Sequence, residues 1–105
     1  LLLVALHARA ESYKLPGRLV SSNHTNLGGH RLPNRPLVVD LEGHTLTVPD
    51  QVIGYTLTLE NENGEFYTYS ISGTTFELPH DLSGFYNLVL RNNEMVYEGS
   101  IDIIN

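Results

Sequence analysis

Histidines and acids are the residues of this sequence best suited to chemistry. The histidines are His7, His24, His30, His44 and His80. A helical zinc site needs two histidines on one face, as in His-x-x-x-His. No pair here has that spacing, and no helix is expected to present one. His24, His30 and His80 would have to be gathered across loops, so solvated loop histidines are the expectation. Glu60, Glu62 and Glu65 surround Asn63-Gly64 in the run ENENGE. A calcium loop alternates oxygen ligands and closes with a bidentate glutamate. ENENGE meets that pattern only in part, and a hairpin tip of this composition is expected to be solvated. The serines, Ser12, Ser21, Ser22, Ser70, Ser72, Ser83 and Ser100, include none in Gly-x-Ser-x-Gly. Leu27-Gly28-Gly29-His30 lacks the lysine and following helix of a phosphate loop. Asn23-His24-Thr25 fits a glycosylation acceptor, a short pattern that reads here as coincidence. The absence of cysteine removes disulfides, thiol nucleophiles and cysteine metal clusters. The chain therefore reads as non-enzymatic, with no catalytic, cofactor-binding or metal-ligating residue assigned.

Composition narrows the class further. The 105 residues fit one domain, and 41% hydrophobic residues are too many for a disordered chain. Net charge is −6, or −7 once residues 1–10 and their Arg9 are set aside. Nucleic acid and anionic membranes require clustered Lys and Arg, so neither is an expected partner.

The opening LLLVALHARAE bears on destination. Leu1 to Leu6 is wholly apolar but far short of the roughly 20 residues that span a bilayer. It leads into Ala8-Arg9-Ala10, small-x-small, and then Glu11. That order matches the end of a signal-peptide apolar region and its cleavage site. Residues 1–10 are read as a signal-peptide remnant, and the expected location is extracytoplasmic, periplasmic or secreted. With no cysteine after the apolar run, a lipid-anchored form is excluded.

The positions that carry side chains outward are set by strands. Residues 11–35 read as an N-terminal strand and loop, with a short strand near Arg18–Ser21. Pro16, Gly28, Gly29, Pro33 and Pro36, with Asn23, Asn26 and Asn34, mark an irregular connection over 22–34. From residue 36 to 105 apolar residues recur at period two. Leu37, Val39 and Leu41 share a face, as do Leu46 and Val48, and Ile53, Tyr55, Leu57 and Leu59. Tyr67, Tyr69 and Ile71 follow, then Phe76 and Leu78, then Tyr86, Leu88 and Leu90. Met95, Tyr97, Ile101 and Ile103 close the series. Asn63-Gly64 predicts a type I′ hairpin, with weaker signals at Asn92-Asn93 and Ser72-Gly73. About seven short strands at this spacing predict an all-β, immunoglobulin-like antiparallel sandwich. Tyr86, just after Gly84, reads as a core tyrosine or as a tyrosine corner tied to nearby backbone.

The run from Leu46 to Ile103, with its Asn-Gly-Glu strand end and Leu-Ser-Gly-Phe-Tyr-Asn-Leu-Val-Leu strand, carries a resemblance. It resembles the small secreted immunoglobulin-like family catalogued as domain of unknown function 3244, from gut-dwelling anaerobic bacteria. The resemblance covers roughly residues 36–104 plus the export segment, and implies a short exported sandwich with no assigned activity. The cadence is also similar to the C-terminal sorting domains of type IX secretion, β-sandwiches with Gly-x-Tyr-x-Leu. Gly84, Tyr86 and Leu88 match that motif, but Ile103-Ile104-Asn105 departs from the basic terminus usual there. Neither resemblance implies a catalytic residue.

Several apolar residues fall on the outward phase: Val38, Val52, Phe66, Phe85, Val89 and Val96. Some are expected to be covered by the N-terminal segment or by sheet curvature. Phe66, Phe85, Val89 and Val38 are the candidate partner surface, since a shared apolar patch marks a binding face. A protein partner is the leading expectation, through a sheet face or strand addition. A small carbohydrate-binding module is the alternative, less favoured because there is no Trp. A sorting-domain-like export module is a further alternative.

Overall fold

The computed structural model describes residues 10–20 and 35–104. Residues 1–9 of the segment 1–10 read as a signal-peptide remnant, the loop 22–34 with His24 and His30, and Ser21 lie outside the described residues. Nine strands form there: β1 Glu11–Leu15, β2 Gly17–Leu19, β3 Leu37–Glu42, β4 Thr45–Thr47, β5 Thr56–Glu60, β6 Phe66–Ser70, β7 Thr75–Glu77, β8 Gly84–Arg91 and β9 Met95–Ile103. One 3₁₀ turn spans Asp50–Val52. The strands build two antiparallel sheets, ordered β1-β3-β4-β7 and β2-β9-β8-β5-β6. The chain is an immunoglobulin-like antiparallel β-sandwich.

The seven runs of period two become β3 to β9. The two strands beyond them come from residues 11–19. Glu11–Leu15 was legible only as the start of an N-terminal strand, because only Leu15 of its five residues is buried. Pro16 divides this segment. Proline offers no N–H to a ladder, so β1 stops there and the chain changes sheets. β1 pairs with β3 and β2 with β9. The Pro16 carbonyl still accepts the Glu98 N–H at 3.1 Å. Leu15 enters the core beside Gly99, where a Cβ would lie 2.8 Å from Leu15 Cδ2. Glycine at 99 thus leaves the room that the crossing strand fills. The Tyr13 hydroxyl accepts the Asp102 N–H at 3.3 Å and so bridges the two sheets.

The core is the stacked inner faces. Leu46 and Val39 come from one sheet, Leu57, Leu59, Leu88, Leu90, Ile101 and Ile103 from the other, all essentially sealed. No polar or charged residue is buried among the described residues. Two phase assignments change. The 3₁₀ turn lets Val52 drop into the core and leaves Ile53 exposed, the reverse of the period-two expectation. Val96 does point to the outer face but is buried. It sits opposite Arg18 on one side and Arg91 on the other, so two long side chains flank it on the outer face. Tyr86 is a core tyrosine, edge-on to Tyr67 at 6.3 Å between ring centres.

The turns also differ from expectation. A type I′ turn needs positive φ at both central residues, yet no non-glycine residue among those described has it. Instead the Asn61 carbonyl accepts the Gly64 N–H at 3.0 Å, and Gly64 takes φ +83°. Asn61 Oδ1 accepts the N–H groups of Asn63 and Glu65. This is the three-residue hairpin loop that ends in a left-handed glycine. The asparagine side chain at 61 holds the turn that Asn63 was expected to make. Ser72-Gly73 makes no hairpin, because β6 and β7 belong to different sheets.

Candidate functional site

The outer face of the five-stranded sheet carries the largest exposed rings. Phe66 is 61% exposed and Phe85 72%. Their place follows from register. On β8 the residues Phe85, Asn87 and Val89 alternate with the core residues Tyr86, Leu88 and Leu90. Asn87 lies opposite Glu60, and Glu60 opposite Phe66. Phe66 is therefore two strands from β8 and one outward row from Phe85. Strand and residue spacings put the two Cα atoms about 12 Å apart. Glu60 and Asn87 form a polar strip between the rings. Val89, half-buried, lies opposite Thr58 and Glu98 in the next row. The face thus brings Phe66, Phe85 and Val89 together. Val38, 46% exposed, lies on β3 and faces out from the other sheet, beside Lys14. It is not part of this surface.

Glu98 anchors the charged side of the face. Asn87 donates to its Oε2 at 2.8 Å and Arg18 to its Oε1 at 3.2 Å. Asn87 first, then Arg18, holds its carboxyl below the ordinary glutamate value, against the opposing effect of burial. A lowered folded value means stability present above the unfolded value and lost as pH falls through the folded one. Glu98→Gln is therefore expected to flatten the acid limb of a stability–pH curve slightly, since Glu98 is partly exposed and screened. Urea midpoints across the acid range check this. An unchanged slope below pH ~4 would show that Glu98 gains nothing from these partners on folding.

At the Arg91 end of the same face lies an open groove of about 490 Å³, lined by Val20, Thr56, Thr58, Arg91, Asn92 and Asn93. Sequence reasoning treated Arg91 and the asparagines as strand end and turn. Only the coincidence of Arg91 with Thr56 on adjacent strands assembles the groove, and the period-two pattern does not encode that pairing.

The other candidate chemistry is placed as follows. His44 and His80 stack at 4.9 Å between ring centres. His44 Nε2 meets the Leu82 carbonyl at 3.0 Å, and His80 Nε2 meets Glu77 Oε2 at 3.2 Å. Hydrogen bonds from Thr45 and then His80 hold the Glu77 carboxyl below its ordinary value. Ser12 Oγ donates to Asp40 Oδ1 at 2.6 Å, on the four-stranded sheet. Glu65 Oε1 accepts the Asn61 amide, inside the hairpin. No group of three or more His, Cys, Asp or Glu among the described residues is placed to hold a metal ion. Tyr67 and Tyr69 are turned inward at the sheet edge, Tyr67 against Tyr86 and Tyr69 against Phe76. Burial, then the nearby Glu65, pushes the Tyr67 hydroxyl above its ordinary value. No helix among the described residues is long and apolar enough to cross a membrane.

Comparison of the chain with protein-family models, curated proteins and solved structures finds no match.

Proposed function

We propose that this domain is an exported, non-catalytic immunoglobulin-like module that binds a protein partner through the outer face of its five-stranded sheet. The carrying observation is the exposure of Phe66 and Phe85 on one face. Fully burying a phenylalanine side chain is worth roughly 1.5–3 kcal/mol, and aromatic residues are enriched at protein interfaces. The two rings would act as separate anchors across the Glu60–Asn87 strip. Export rests on the apolar run Leu1–Leu6 and the Ala8-Arg9-Ala10 that follows it. The resemblance to the small secreted immunoglobulin-like family, and more distantly to type IX sorting domains, fits that reading.

A second reading, a carbohydrate-binding module, is favoured by the groove at Arg91, Asn92 and Asn93, whose side chains are hydrogen-bonding groups suited to sugar hydroxyls. It has no exposed tyrosine platform, because Tyr67 and Tyr69 pack inward.

Affinity capture from extracytoplasmic extract, with the chain as bait, separates these readings. The expected result is one saturable protein partner, lost by Phe66→Ser with Phe85→Ser while the melting temperature is unchanged. Binding that survives both substitutions rejects the aromatic face. A glycan array that responds to the chain, and is silenced by Arg91→Ala alone, moves the assignment to the groove.

A further inference from the structure

We propose that β6 is a self-association edge, along which two copies of this chain join antiparallel, centred on Thr68, into one continuous ten-stranded sheet. The two sheets present four edges among the described residues: β1, β7, β2 and β6. Natural edges are guarded by charge, proline or shortness. β1 carries Glu11 and Lys14. β2 is three residues long, follows Pro16 and carries Arg18. β7 is three residues long and ends at Glu77. β6 is Phe-Tyr-Thr-Tyr-Ser, without charge, proline or glycine, and its register with β5 runs unbroken over all five residues. This edge alone of the four has none of those guards.

The free hydrogen-bonding groups follow from the ladder. Ile71 donates its N–H to the Tyr55 carbonyl, and the Glu65 carbonyl accepts from Asn61. Alternation then assigns Tyr67 and Tyr69 to bonds with β5. Phe66, Thr68 and Ser70 present their N–H and C=O groups outward. In a two-fold pairing centred on Thr68, Thr68 meets Thr68 of the second copy, and Phe66 meets Ser70. Every outward group then falls at a hydrogen-bonded position, where each pair exchanges both bonds. Tyr67 meets Tyr69 of the second copy at the closer, non-hydrogen-bonded sites. Those rings already pack on Tyr86 and Phe76, so the cores of the two copies would meet.

A second copy suits the edge because the strand is complementary to itself, as an isologous interface requires. The charge distribution agrees. Glu60, Glu62 and Glu65 cluster at the hairpin before β6. The antiparallel two-fold puts the two hairpins at opposite ends of the joint. Each then lies beside the uncharged segment 70–75 of the other copy.

Sedimentation equilibrium of the chain tests this, with a concentration-dependent monomer–dimer equilibrium expected. Thr68 is exposed and points away from the core, so Thr68→Lys and Thr68→Glu should each fold. Each places like charges opposite one another and should weaken dimerisation by roughly fivefold or more. An equimolar mixture of the two variants should recover association. Phe85→Ser, which disturbs only the outer face, should leave the dimer intact, so this proposal and the partner-face reading fail separately. A chain that stays monomeric at every concentration overturns the proposal. So does a dimer that Thr68→Lys leaves unchanged, or that Phe85→Ser abolishes.

Discussion

Leu88→Ala is expected to destabilise the domain by about 2–5 kcal/mol, with the loss spread over the whole molecule. Leu88 is fully buried in the middle of β8. That strand pairs with β9 over eight residues on one side and with β5 on the other. Truncation removes transfer energy and leaves a cavity between two sheets held apart by Leu57, Leu90 and Ile101, which cannot all collapse into it. A domain of this size has roughly 5–15 kcal/mol in total. Each kcal/mol moves its melting temperature by roughly 4–8 °C. Urea denaturation should show a lower midpoint with an unchanged slope. A loss under about 1 kcal/mol would mean that the inner faces do not close over β8.

Leu15→Ala should cost a similar amount, about 2–5 kcal/mol if the site stays folded, but with a different signature. Leu15 is as buried as Leu88, yet it belongs to an edge strand that changes sheets at Pro16. The wild-type side chain fills the space that Gly99 leaves open. Without it, β1 and β2 keep short ladders and lose the one buried side chain that fixes them. The arm should then open while the rest of the sandwich stays closed, as local unfolding units do. Amide exchange should accelerate first at Tyr13, Leu15 and Arg18, with β5 and β8 slowed nearly as in wild type. Uniform acceleration across all strands would show that the arm is integral to the global unit. Gly99→Ala, which intrudes on the same space, offers a complementary probe from β9.

The seven runs that became β3 to β9 were readable because a half-buried strand exposes alternate residues, and period two records that directly. β8 is the clearest case: Tyr86, Leu88 and Leu90 turn inward while Phe85 and Val89 turn outward. The same alternation placed Phe66 outward, so most of the candidate face could be read residue by residue. What it could not supply was the sheet to which each strand belongs. Val38 and Val89 have identical phase signals, yet they lie on opposite sides of the molecule, because strand order is set by pairing and not by periodicity. Val96 was obscured for a related reason. It is flanked across the β2–β9 ladder by Arg18, 78 positions away in sequence. Val52 and Ile53 exchanged places because one 3₁₀ turn shifts the phase by a residue. The hairpin at Asn63 was located correctly and mistyped, since Gly64 alone takes the positive φ while Asn61 Oδ1 holds the Asn63 and Glu65 N–H groups.

The crossing at Pro16 also governs the order in which the fold is completed. β8 and β9 are neighbours along the chain, and the Asn92 side chain caps the short turn between them by accepting the Met95 N–H. Their ladder closes a small loop. Gly17 pairs with Tyr97, 80 positions later, the most distant strand pairing among the described residues. Loop-closure entropy rises with length, and contacts of high sequence separation slow folding. Local hairpins such as β3–β4, β5–β6 and β8–β9 are therefore expected to form before β2 docks on β9. β1 has its partner β3 close by in the chain, whereas β2 finds its only partner in the last strand described.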